Sequence, residues 1–285
     1  MKHGLVVIDK QAGESSAAAL RPLKAEAGRK TKVGHAGTLD PFATGVLLAL
    51  VGDATRLSDL AMALPKTYEA VVQFGWQTDT LDPEGEIVAE TDPGEPRDLA
   101  AVLPAFLGEI EQQPPAYSAL KVDGERAYRL ARRGEAPELK ARRVRVDAID
   151  VLAVDWPHVT LRIRCGAGTY IRALARDIGA AFDLPASLTA LRRTAIGPFA
   201  AEQAGSVQPP ETITRAADVP EVALDAAAAR RFVTGQLVAD EGPDAIRLAV
   251  FVGERLAGLG ERRNGRLRAS TVLSQARADL EQRGV

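Results

Sequence analysis

The segment Gly34–Gly45, "GHAGTLDPFATG", sets three glycines, a histidine, an aspartate and a proline in one loop, directly before the apolar run Val46–Gly52, "VLLALVG". A run of that length, uniformly apolar and closed by glycine, predicts a strand buried on both faces. Asp40 has two readings. Ahead of Pro41 it suits the N-cap of a helix, with proline at the first helical position. That reading leaves Gly34, Gly37 and Gly45 unexplained. Glycines at this density admit unusual backbone angles or the close approach of a ligand, and the second reading makes Asp40 a functional carboxylate.

Outward from this segment, Gly4–Lys10 "GLVVIDK" reads as a buried strand and Ser15–Gly28 "SSAAALRPLKAEAG" as a helix stopped by Gly28. Asp53 is placed to cap a helix over Ala54–Leu64. Thr67–Thr78 alternates as a strand does, and Arg97–Gln112 "RDLAAVLPAFLGEIEQ" reads as helical. Arg145–Gly168 predicts a two-stranded hairpin turning at "DWPH". Thr169–Phe182 "TYIRALARDIGAAF" predicts a helix capped by Thr169, with Ile171, Leu174, Ala175 and Ile178 on its apolar face. Strands and helices mix without a regular βαβ repeat, so the fold class is α+β with a mixed sheet. Beyond the proline-bearing stretch 201–224 come a helix and a few short strands with Gly and Asn turns. The expected division is residues 1–224, then a small β-rich domain over 225–285.

The formal net charge is −2, but the charges are segregated. Thr78–Ala100 carries eight acids against Arg97 alone, and Lys121–Arg145 carries nine bases against four acids. Arg162, Arg164, Arg172 and Arg176 follow with no acid between Thr160 and Arg176. Each run alone could be a solvated face. Three such stretches together are the footprint of a polyanion site, and point to RNA or DNA. With 46% hydrophobic and 26% charged residues the chain has ordinary globular composition. No apolar run approaches the roughly 20 residues of a membrane helix, and the N-terminus is too short in apolar residues for a secretory signal. A cytoplasmic protein is expected. Cys165 is the single cysteine, which excludes a disulfide framework and a cysteine-based zinc site. His3, His35 and His158 are too scattered for a metal motif. "GAGTYI" offers only a lone GxG before a helix, a weak nucleotide signal that serves better to let a phosphate approach.

The loop and the strand after it, "GHAGTLDPFATGVLLALVGDATR", resemble the signature of the bacterial tRNA pseudouridine-55 synthases. "KTYEAVVQFGWQTDTLDPEG" (Lys66–Gly85), "QQPPAYSALKVDGERAYRLARRG" (Gln112–Gly134), "CGAGTYIRALARDIG" (Cys165–Gly179) and "LTALRRTAIGPF" (Leu188–Phe199) resemble that family's motifs in its order. The opening "GLVVIDKQAGESS" departs in having Gln11 for the usual proline and "ESS" for a Thr-Ser pair. The resemblance implies a pseudouridine synthase catalytic domain with a basic arm at about 114–145 and a PUA-like RNA-binding domain at its C-terminus. It implies Asp40 as the catalytic carboxylate, Tyr68 as the aromatic that stacks on the flipped base, and Arg172 as the counter-charge. His35, Lys121, Arg126, Arg129, Arg132, Arg133, Tyr170, Arg192 and Arg193 fall among the RNA contacts. The partner is tRNA, through its T-arm, and the chain is expected to act as a monomer without cofactor, metal or membrane. Alternatives are a non-catalytic tRNA-folding or RNA-binding protein, a guide-RNA-dependent pseudouridine synthase, and a uracil methyltransferase acting through Cys165.

Overall fold

The computed structural model describes residues 3–118, 120–122, 124–135 and 139–282, with side chains at 121, 126, 132 and 279–282 outside that description. Among the described residues, ten strands form one mixed sheet and five form a second. The first comprises β1 (Gly4–Lys10), β2 (Val33–His35), β3 (Thr44–Val51), β4 (Lys66–Phe74), β5 (Gly108–Gln112), β6 (Arg142–Asp155), β7 (His158–Cys165), β8 (Ala186–Ile196), β9 (Phe199–Ala200) and β10 (Val207–Gln208). Their order is β10-β1-β3-β8-β4-β7-β6-β5, with β2 paired to β3 and β9 to β8. Neighbours are antiparallel except β3 and β8, which run parallel through Thr44–Arg192 and Gly45–Arg193. The α+β reading and the mainly antiparallel sheet hold.

Val46 through Val51 are buried to within 1%, so β3 is the interior strand that its unbroken apolar run predicts. Each buried Val or Leu side chain among them stabilises the fold by roughly 1.5–3 kcal/mol, which fixes the end of the Gly34–Gly45 loop. β4 alternates buried and half-buried along its length, placing Tyr68, Ala70, Val72 and Phe74 on one face. That face packs against the helix Ile171–Ala180 through Ile171, Leu174, Ala175 and Ile178, the apolar stripe read from the sequence. The expected hairpin is present as β6 and β7, closed at Asp155–His158.

The second sheet is β11 (Glu221–Ala223), β12 (Val238–Ala239), β13 (Ala245–Val252), β14 (Arg255–Arg263) and β15 (Arg266–Val272), ordered β11-β13-β14-β15-β12. It is not isolated from the first. Leu5, Val7, Val46 and Leu48 share one apolar cluster with Ala249, Phe251, Leu256 and Leu273.

Three local expectations fail for physical reasons. Arg97–Gln112 is helical only at Leu99–Val102 and, as a tighter turn, Leu103–Phe106; Gly108–Gln112 is β5, whose Gly108 stands at φ +80°. Thr169 does not cap the helix Ile171–Ala180: Tyr170 is the N-cap residue, with no side-chain cap bond, and the Thr169 hydroxyl donates to the Gly166 carbonyl at 3.2 Å. Asp53 caps a helix distant in sequence. Its carboxylate accepts from Ser274 Oγ and from Gln275 N–H at 2.9 Å, at the start of the helix Ser274–Gln282.

Candidate active site

No helix follows Asp40, and the chain between Thr38 and Ala43 is irregular until β3 begins. The capping role therefore has nothing to cap. The loop is instead held carbonyl by carbonyl. Arg193 donates to Gly37 O at 3.2 Å, to Thr38 O at 3.3 Å and to Val46 O at 2.7 Å. The buried Ser16 hydroxyl both donates to Leu39 O (2.9 Å) and accepts from Leu39 N–H (2.8 Å). Lys10 Nζ donates to Pro41 O at 3.1 Å, besides Gln11 O and Glu14 O. Burial pushes the Lys10 ammonium pKa down, with Glu14 and then Asp40 opposing that shift. Buried carbonyls require such partners, and these place Asp40 between fixed neighbours on both sides.

The Asp40 side chain is 32% exposed and is paired with Arg172, which is 5% exposed. Arg172 Nη2 donates to Asp40 Oδ1 at 3.2 Å, while Nε stands 2.9 Å from Oδ2 in ion-pair contact, off-line for a hydrogen bond. The same guanidinium donates to Thr80 O (2.6 Å) and Tyr117 O (2.9 Å) and lies 3.2 Å from Asp82 Oδ2. Asp82 is buried; burial raises its pKa, and a bond from Thr80 Oγ1 (2.6 Å), the Arg172 charge and the Glu84 N–H oppose that rise. Arg172 thus joins an accessible carboxylate to a buried one, and the motif carrying Asp82 to the root of the basic arm. Gln112, fully buried at the end of β5, sets the helix that carries Arg172: Tyr170 N–H donates to its Oε1 (2.9 Å) and its Nε2 donates to Tyr170 O (3.1 Å).

Tyr68 is buried in the cluster that holds Leu39, Ile171 and Leu191. Burial raises its phenol pKa, against the lowering effect of Arg193. His35 is half-buried, and burial first, then the charge of Arg193, lowers its pKa and holds the imidazole neutral near pH 7. Next to the loop, Phe42, Thr44, Glu69, Val71, Leu191 and Arg192 line a cleft of about 320 Å³, within the range of roughly 300–1,000 Å³ usual for small-ligand sites.

The sequence treats Arg192 and Arg193 alike, as contacts to RNA. The strand separates them. Successive residues of β8 point to opposite faces: Arg192 lies half-exposed and paired with Asp9 at 2.9 Å, whereas Arg193 is 1% exposed and its guanidinium is engaged by backbone carbonyls. Arg193 is corrected from an RNA contact to an interior residue. In the arm, Arg129 is exposed, and Arg133 is exposed but bound by Glu125 (2.6 Å) and Glu135 (3.0 Å). The side chains of Lys121, Arg126 and Arg132 lie outside the described residues. Tyr170 is half-buried under the Arg142 guanidinium, 4.7 Å from its ring centre. Cys165 is buried and its thiol is pushed up to about 11, the wrong direction for a nucleophile at neutral pH.

Lys10, Ser16, Asp82 and Gln112 are parts of this arrangement that the sequence does not single out. Asp82 sits in a quoted motif yet counts there only as one of eight acids. Gly45 is the glycine whose need is plainest. It has φ +106°, and a Cβ on it would stand 2.2 Å from the Arg193 carbonyl oxygen. Gly45→Ala is expected to destabilise the fold by at least about 2 kcal/mol, because left-handed strain alone costs roughly 1–2 kcal/mol and the contact is with backbone. A thermal melt within a degree of wild type would refute this.

A family model described as "TruB family pseudouridylate synthase (N terminal domain)" matches residues 24–171, and one described as "Pseudouridine synthase II TruB, C-terminal" matches residues 220–273. The chain is 40% identical over 289 residues to the tRNA pseudouridine synthase B of Azoarcus sp. (strain BH72), covering 95% of each chain. It is 44% identical over 252 residues to that of Ralstonia nicotianae (strain ATCC BAA-1114 / GMI1000), covering 82% of this chain and 80% of the relative. A solved Cbf5–Nop10–Gar1 complex matches at TM-score 0.70 and 23% identity, covering 95% of this chain and 84% of that one, a likeness of fold. On the family models and these relatives, the chain belongs to the TruB family of pseudouridine synthases.

Proposed function

We propose that the protein converts the T-loop uridine 55 of tRNA to pseudouridine, with Asp40 as the reacting carboxylate, Arg172 as its counter-charge and Tyr68 against the flipped base. The observation that carries this is the pairing of a partly exposed Asp40 with a buried Arg172 in a loop that caps no helix. In the reaction the N1–C1′ bond breaks, the uracil turns, a C5–C1′ bond forms, C5 loses a proton and N1 gains one. Substrate and product are isomers, so the balance calls for no oxidant, reductant or transferred group. It does call for a charged group held without solvent reorganisation, which the clamped loop provides.

The target base must leave its stack at a cost of a few kcal/mol, and stacking on an aromatic recovers about 1–3 kcal/mol per base. The exposed Arg129 and the half-exposed Arg192 are offered as phosphate contacts, His35 and Tyr170 as contacts to the opened loop. The arm at about 114–145 closes on the RNA, and the C-terminal domain, expected from 225 and joined by β11 at Glu221–Ala223, is the PUA-like domain that adds affinity for tRNA. The protein acts as a monomer. The named relatives favour this reading over a guide-RNA-dependent enzyme, and the intact Asp40–Arg172 pair favours it over a non-catalytic binder.

The test is an unmodified tRNA transcript incubated with purified protein, without cofactor and in EDTA, followed by mapping of pseudouridine. Conversion at position 55 is expected, undiminished by the chelator. Activity lost on chelation and restored by a metal would sink the mechanism.

A further inference from the structure

Arg193 is a buried cation with no carboxylate within ion-pairing distance among the described residues. Buried charges are normally paired, so an unpaired one retained in the interior calls for an account. Its place in the sheet supplies one. β8 lies between β3 and β4, and Arg193 is the register partner of Gly45 on one side and of Tyr68 on the other. Antiparallel partners present their side chains to the same face, which sets Arg193 beside Tyr68. From that position its guanidinium donates to Gly37 O and Thr38 O before Asp40 and to Val46 O after it, spanning the loop. It also sets a positive charge against the Tyr68 side chain, opposing the effect of burial on the phenol.

We propose that Arg193 is a positioning residue of the reaction, one guanidinium fixing the backbone that carries Asp40 while its charge stands beside Tyr68. The loop that carries Asp40 is then held, with Tyr68 beside the same guanidinium, before RNA arrives. A lysine has no planar fork and cannot span three carbonyls at once, so Arg193→Lys keeps the charge and loses the geometry. The absence of a paired carboxylate follows too: an acid beside Arg193 would compete with the loop for the same donors.

The proposal rests on the roles given above to Asp40 and Tyr68, and its test separates the two. Arg193→Lys should retain the melting temperature to within a few degrees and retain tRNA filter binding. Its single-turnover release of tritium from C5-labelled tRNA should fall by about 10- to 100-fold, and Arg193→Met should fall further. In a Tyr68→Phe background the Arg193→Lys loss should shrink, since residues acting as one unit are not additive. Wild-type turnover in Arg193→Lys, full additivity with Tyr68→Phe, or a loss that only follows binding or unfolding would each overturn it. A second measurement needs neither turnover nor a stable variant at position 193. In the unmodified enzyme, the Tyr68 ring protons, assigned by Tyr68→Phe, should show a nuclear Overhauser effect to slowly rotating arginine Nη protons. Its absence would overturn the proposal even if the chain makes pseudouridine, and its presence would support the geometry even if it does not.

Discussion

Asp40→Asn is expected to lower single-turnover conversion by more than about 10³-fold, a loss of ~4 kcal/mol in transition-state stabilisation, with tRNA binding and thermal stability near wild type. The substitution keeps the shape of the side chain. It keeps the backbone carbonyl that accepts from Ala43 N–H at 3.2 Å, and an amide oxygen that can still accept from Arg172 Nη2. The carboxylate is partly exposed, and ion pairs with an exposed partner are worth about 0–1 kcal/mol, so little stability is at stake. Arg172 also keeps Asp82 as its anion. What disappears is the charge and the nucleophilic or basic oxygen. Tritium release from C5-labelled tRNA, beside filter binding and melts, separates these quantities. Retention of more than about a tenth of the wild-type rate, equivalent to ~1.4 kcal/mol, would remove Asp40 from the chemistry.

The loop and its strand were legible because their signals are local. Val46–Val51 reads as buried from its own residues, and Gly45 reads as special from its neighbours. The helix Ile171–Ala180 was legible from its apolar spacing. Asp53 was not, because its partners Ser274 and Gln275 lie more than two hundred residues away, and a capping residue with a helix directly after it looks complete. β5 was absorbed into a helix because "GEIEQ" has too few residues to declare a period, and only pairing with β6 makes it a strand. Arg192 and Arg193 show the other limit. Their charges are visible in sequence, but which of two successive strand residues faces the interior depends on register. Asp82 was hidden by its company: in a run of acids nothing marks the one that is buried, and Arg172 reaches it only through the fold.

That buried acid makes Arg172 the residue whose loss has two separable consequences. Arg172→Met removes the counter-charge of Asp40 and also the only cation paired with Asp82 among the described residues. Breaking a buried pair from one side costs about 3–5 kcal/mol, partly relieved here because Asp82 Oδ1 still accepts from Thr80 Oγ1 and Glu84 N–H. A fall in melting temperature of roughly 2–4 °C per kcal/mol should accompany the loss of turnover. The stability deficit has a pH signature. Burial already raises the Asp82 pKa, and removing Arg172 raises it further. A carboxyl whose pKa is higher folded than unfolded destabilises the fold as pH climbs from the unfolded value of about 4 through the folded one. The Arg172→Met deficit should therefore shrink on acidification toward pH 4 and be full at pH 8. Adding Asp82→Asn removes the buried charge, and the double variant should regain most of the stability and lose the pH dependence. It should not regain turnover, because Asp40 still lacks its partner. If turnover returned together with stability, Arg172 would be present only to neutralise Asp82, and Asp40 would work without a counter-charge.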